Sequence, residues 1–122
     1  MQLVHRPENG SSTVLATTVD FADSVLSQLR GLMFRRSIPD DYALAFRFGS
    51  VETQDVHMLF VFFPIDVVWL VDGTVQRVER LRPWLGFERG EADTIIELPA
   101  GTADDVEPGD RLLFVGSDAA DE

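Results

Sequence analysis

The chain has 122 residues, 45% hydrophobic and 25% charged, the profile of an ordinary globular domain long enough to bury one core. It has no cysteine, which excludes a disulfide framework, a thiolate metal site and a cysteine nucleophile, and its two histidines exclude a three-histidine metal centre. Twenty-one acids oppose ten bases, all of them arginine, and the net charge of −11 repels nucleic-acid phosphates and anionic membranes. Dense carboxylates without lysine resemble proteins of salt-accumulating organisms. A GC-rich genome also favours arginine over lysine, but does not by itself explain the acidity. The first ten residues contain no apolar h-region. The longest apolar run, 56–71, is shorter than the ~20 residues of a membrane span and is interrupted by Pro64 and Asp66. The expectation is a cytoplasmic single domain over 1–122, ordered from about 13 to 116 and flexible over 1–12 and 117–122, with no nucleic-acid or membrane partner.

In chain order, residues 1–12 read as a frayed strand followed by a turn at Asn9-Gly10. The β-branched run 13–19 reads as a strand. Asp20 then suits a helix N-cap, with Asp23 near the positive end of the dipole and Val25, Leu29 and Leu32 at helical spacing. Arg30 and Gly31 suit its C-terminal end. Residues 42–48 read as a strand with Leu44, Phe46 and Phe48 on one face, and 49–54 as a loop.

The apolar run 56–71 is interrupted only by His57, Pro64 and Asp66. Proline cannot donate to a central ladder, so the run divides into strands over 56–62 and 65–71, both expected to be covered on two faces. Asp72-Gly73 fits a two-residue type I′ hairpin, which pairs 65–71 antiparallel with 74–81. Residues 83–90 form a loop carrying Trp84 and Phe87, 94–98 a strand, 102–106 one helical turn, 107–110 a turn and 111–115 the last strand. The pattern predicts a mainly β (α+β) fold: a small, mostly antiparallel open barrel or curved sheet with one short helix packed on it.

Several motifs occur in a recognisable order: Arg30-Gly31-Leu32-Met33-Phe34-Arg35, His57-Met58, Pro64-Ile65-Asp66, Asp72-Gly73, then Glu97-Leu98-Pro99-Ala100-Gly101 and Gly109-Asp110. From about Ala16 to Phe114 the chain resembles the uncharacterised family called domain of unknown function 192. The resemblance implies a small β-rich fold with little helix, and it carries no established activity. Many members have a Trp-Met-Lys-Asn-Thr run where this chain has His57-Met58-Leu59-Phe60-Val61, so no role of those polar groups transfers.

The candidate functional residues are exceptions to their surroundings. Asp66 and Glu97 are acids in apolar strands, and a carboxylate removed from water needs a partner. Arg30 and Arg47 are the expected partners. Facing one cleft, the two acids would form an acid/base pair with His57, as in a small hydrolase or lyase; apart, they are structural. Arg30 and Arg47 suit an anionic ligand, and Trp84 and Phe87 a stacked one. No catalytic elbow, phosphate loop, metal motif or cofactor motif is present. The leading expectation is therefore a non-catalytic β domain that binds a small molecule or a protein. The alternatives are the acid/base enzyme and a scaffold that adds an exposed sheet edge to a partner.

Overall fold

The computed structural model describes residues 1–22 and 31–116. Eight strands follow one another: β1 (Gln2–Arg6), β2 (Thr13–Ala16), β3 (Thr18–Phe21), β4 (Tyr42–His57), β5 (Ile65–Val71), β6 (Thr74–Leu81), β7 (Phe87–Pro99) and β8 (Arg111–Val115). They form one mixed sheet in the order β2-β1-β8-β6-β5-β7-β4-β3. Only the β3–β4 pair is parallel. The ladder is not closed into a barrel, because β2 and β3 stand at its two ends. The fold is mainly β, as expected.

The central strands are apolar on both faces because both faces are covered. On one face Tyr42, Leu44 and Phe46 of β4, Val67 and Trp69 of β5 and Ile95 of β7 pack with Leu32, Val56, Met58 and Val61. On the other, Ala43, Ala45, Val68, Leu70, Ile96 and Leu98 pack with Leu3, Val75 and Leu112. Each fully buried Val, Leu or Ile side chain contributes about 1.5–3 kcal/mol. Gly90 of β7 lets the strand lie on the Trp69 ring, since a Cβ there would stand 3.0 Å from it. The indole N–H donates to the Gln54 carbonyl at 3.1 Å.

The hairpin at Asp72-Gly73 is present, with φ of 50° and 79°, and pairs β5 with β6. The expected short helix falls mainly on 23–30, outside the described residues, among which no helix occurs; its expected N-cap, Asp20, belongs to β3, where its carboxylate accepts the Tyr42 hydroxyl at 2.9 Å. Three expectations are corrected. The expected loop 49–54 lies within β4, which after an irregularity between Arg47 and Glu52 pairs again with β7. Its exposed polar pairs, Thr53 with Glu91 and Asp55 with Arg89, give it a loop-like sequence. The expected strand over 56–62 ends at His57, and Leu59, Phe60 and Phe62 are exposed. Residues 102–106 form successive tight turns in place of a helical turn.

The strand read near the N-terminus is present as β1. β1 pairs on both sides, with β2 and with β8, and buries Leu3 and His5. His5 Nε2 lies 2.7 Å from the Asp110 carboxylate, which also accepts the amides of Glu8 and Glu107. Burial works to raise the Asp110 pKa, but the His5 contact and the two amides outweigh it and hold the carboxyl below its usual range. A depressed pKa stabilises the fold above the ordinary value of 3.8, and that contribution is lost as pH falls through the folded value. Asp110→Asn should cost about 2–3 kcal/mol at neutral pH. Urea melts should show the gap between variant and wild type closing in strong acid.

Candidate functional site

Alternation along the strands separates the two buried acids. Glu97 stands opposite Leu44 and Val67, so its side chain points to the face that holds Phe46 and Trp69. Asp66 precedes Val67 and points to the other face. They therefore share no cleft, and an acid/base pair of Asp66 and Glu97 has no geometric support.

Asp66 is fully committed to holding the fold. Its Oδ1 accepts Arg80 Nε at 2.8 Å, and its Oδ2 accepts the amides of Gly101 at 2.9 Å and Ala103 at 3.0 Å. Arg80 continues to Asp104, so one carboxylate ties β5 and β6 to the turns after β7. The partner is Arg80, where Arg30 or Arg47 was expected. Arg30 lies outside the described residues. Arg47 is on the opposite face from Glu97, with its guanidinium 4.0 Å over the Phe21 ring.

Glu97 is different. It is 8% exposed, and no described residue hydrogen-bonds its carboxylate. It lies in a half-open cavity of about 280 Å³ with apolar walls of Leu32, Met33, Phe46, Phe48 and Ile95, while Asp55 and His57 stand at the polar end. Gly31, at φ 51°, forms one wall, and a Cβ there would come within 3.7 Å of Glu97 Oε1. Desolvation pushes the Glu97 carboxyl up to about 7, and the field of Arg35 opposes it. An apolar cavity with a convergent buried titratable group is the form a small-molecule site takes.

His57 shares this cavity with Glu97. Its Nδ1 accepts the Leu59 amide at 3.2 Å, which leaves the proton of the neutral ring on Nε2. Trp84 and Phe87 do not line the cavity. Trp84 belongs to a cluster of loop aromatics, and Phe87 opens β7 beneath Arg89. The part the sequence did not disclose is the wall formed by Gly31, Met33 and Phe48. The only available signal was the apolar surroundings of Glu97 itself. The buried His5–Asp110 pair was equally hidden, since 105 positions separate its members.

Two outcomes follow from the contrast between the acids. Asp66→Asn should destabilise the protein by about 2–4 kcal/mol and speed amide exchange at Gly101 and Ala103, because it removes a buried charge from three donors. Glu97 has the opposite sign. Its folded pKa of about 7 lies above its ordinary 4.5, so stability is greatest in acid, falls as pH rises from 4.5 to 7, and is level above that. Glu97→Gln should remove this slope and stabilise the protein at pH 8, by up to the order of 3 kcal/mol. Thermal melts of both forms from pH 5 to 8 measure it.

A family model described as Uncharacterized ACR, domain of unknown function 192, matches residues 6–114. A protein from Sinorhizobium meliloti 1021, described as a "putative transcription regulator", has the same fold at TM-score 0.82 and 27% identity. The match covers 92% of this chain and 91% of that one. A protein of unknown function from Novosphingobium aromaticivorans matches in fold at TM-score 0.80 and 20% identity, over 93% of this chain and 84% of that one. No curated protein matches the chain. With the family model spanning most of its length, the chain belongs to the uncharacterised family called domain of unknown function 192.

Proposed function

We propose that this protein binds a small molecule with an apolar body and a protonated amine head, and that Glu97 receives the amine. The observation that carries the reading is a carboxyl buried at the wall of an open apolar cavity without a hydrogen-bond partner among the described residues. Desolvating a carboxylate destabilises the free protein, and a ligand that supplies a charge-assisted hydrogen bond recovers part of that energy. The sign of the ligand follows from the described lining residues, among which Glu97 and Asp55 are acids and none is an arginine. Its size, about 280 Å³, is just under the roughly 300–1,000 Å³ of drug-sized pockets and suits a metabolite-sized ligand.

The other readings have less support. A hydrolase or lyase using Asp66, Glu97 and His57 would need the acids together, and their strand positions keep them on opposite faces. A scaffold that works by edge pairing would rely on β2 and β3, which have four residues each and offer little ladder. The description of the Sinorhizobium relative as a regulator is compatible with a ligand-sensing domain. Direct DNA contact by this chain is disfavoured by its net charge of −11.

Phenethylamine and hexylamine, set against phenylethanol and phenylacetate, test the proposal. The amines should raise the melting temperature at pH 7.5, lower the Glu97 pKa measured by NMR, and shift amides of Met33, Phe46 and Ile95. Glu97→Gln should weaken amine binding about 10- to 100-fold, the loss of one charge-assisted hydrogen bond. Equal binding of phenylethanol, or amine binding unaffected by Glu97→Gln, would overturn it.

A further inference from the structure

Beside the cavity lies a surface that ligand binding does not use. Phe34, Leu59, Phe60, Phe62, Trp84 and Leu85 are each at least 40% exposed, and Leu85 reaches 73%. Their rings are in contact: Phe34 stacks on Phe60 at 4.9 Å, Phe60 meets Trp84 edge-on at 5.1 Å, and Phe62 lies 5.6 Å from Trp84. They come from three loops, and backbone hydrogen bonds hold these together: Phe34 N–H to Phe60 O, Trp84 N–H to Met58 O, and Met58 N–H to Gly86 O. Phe34, Phe60 and Trp84 adopt φ of 68°, 61° and 65°. An aromatic residue in the left-handed region costs of order 1–3 kcal/mol, so three of them hold strained backbone in order to point rings outward. Scattered exposed apolar residues need no explanation, but a contiguous, braced patch marks an interaction site.

Charge identifies the occupant. The segments 31–39, 58–65 and 81–87 contain no acid, where the chain's average density would place about four among those 24 residues. They contain Arg35, Arg36 and Arg82 instead. Arg36 and Arg82 are exposed and make no salt bridge to a described acid. An otherwise acidic protein thus keeps an apolar face whose loops carry arginines without an acidic partner among the described residues. We infer that this face docks an acidic polypeptide segment of a partner protein that carries apolar side chains, its rings and aliphatic groups on Phe60 and Trp84 and its carboxylates on Arg36 and Arg82. A symmetric contact with a second copy would set these arginines against their own copies. A planar anionic membrane would face the surrounding acids as well as the loops, whereas a segment meets the local charge alone.

The inference is independent of Glu97 and is tested separately from it. The probe is a capped 12-residue peptide alternating Asp or Glu with Leu and Phe. One control peptide has Lys at every acid, and another has Ser at every apolar position. By NMR, the acidic–apolar peptide should bind in the 10–100 µM range, shift the amides of Phe60 and Trp84, and weaken with added NaCl. The double substitution Arg36→Glu with Arg82→Glu should weaken it at least tenfold, and so should Phe60→Ser, while Glu97→Gln leaves it unchanged. These exposed positions leave the melting temperature within a few degrees, which separates lost binding from lost folding. Equal binding of the Lys or Ser peptide would overturn the inference. So would self-association through these loops in sedimentation, or binding to phosphatidylglycerol vesicles but not to the peptide.

Discussion

The architecture depends on β5 being apolar on both faces. Val67 and Trp69 point one way, Val68 and Leu70 the other, and all four are buried. A strand of this kind must sit inside a sheet and must have cover above and below. β6 and β7 provide the flanks. The cover on one face comes from Leu32 and the loop around Met58 and Val61, and on the other from β1, β8 and the turns after β7. Remove that demand and neither the cavity nor the turn held by Asp66 has a reason to exist.

The two faces then acquire different work. The face with small residues, Ala43 and Ala45, packs closely and places Asp66 where three donors converge on it. The face with large rings packs less completely and leaves space beside Phe46 and Phe48. Glu97 reaches that space from a position only one residue out of phase with Leu98, which is fully buried on the other side. A carboxyl there has neither water nor a donor in abundance, so its proton affinity rises. Similar-looking acids in similar-looking strands thus differ because strand alternation sends them to unlike surroundings.

How much was legible in the sequence depended on whether local signals and burial agreed. The Asp72-Gly73 hairpin was readable because turn chemistry is local, and the boundaries of the last strand, 111–115, because Gly109 and Asp110 punctuate it. The continuation of β4 across 49–54 was not, since polar cross-strand pairs in water look like loop residues. The largest misreading concerned 58–62. Phe60 and Phe62 carry the composition of a core strand, and only tertiary context makes them surface. Of the candidate site, Glu97 and His57 were nameable as anomalies, but their common cavity was not, because its walls come from Gly31, Phe46 and Ile95 on separate parts of the chain. The family resemblance identified the fold and left the chemistry open.

A single residue, Thr17, joins β2 at one end of the sheet to β3 at the other. The two ends of the ladder must therefore lie side by side in space. β1 pairs with β8, Gln2 opposite Val115, and β3 pairs with β4. The stretch 2–21 is thus the seam along which the curled sheet is drawn together, and half of that seam waits for strand residues more than 100 positions later. Pairing across such separations closes a long loop and is slow. On a ribosome, the β4–β7 unit and the β1–β2 hairpin can form before β8 has been made, with one edge of β1 still without its partner. The last step of folding is then the docking of the oldest strand against the youngest.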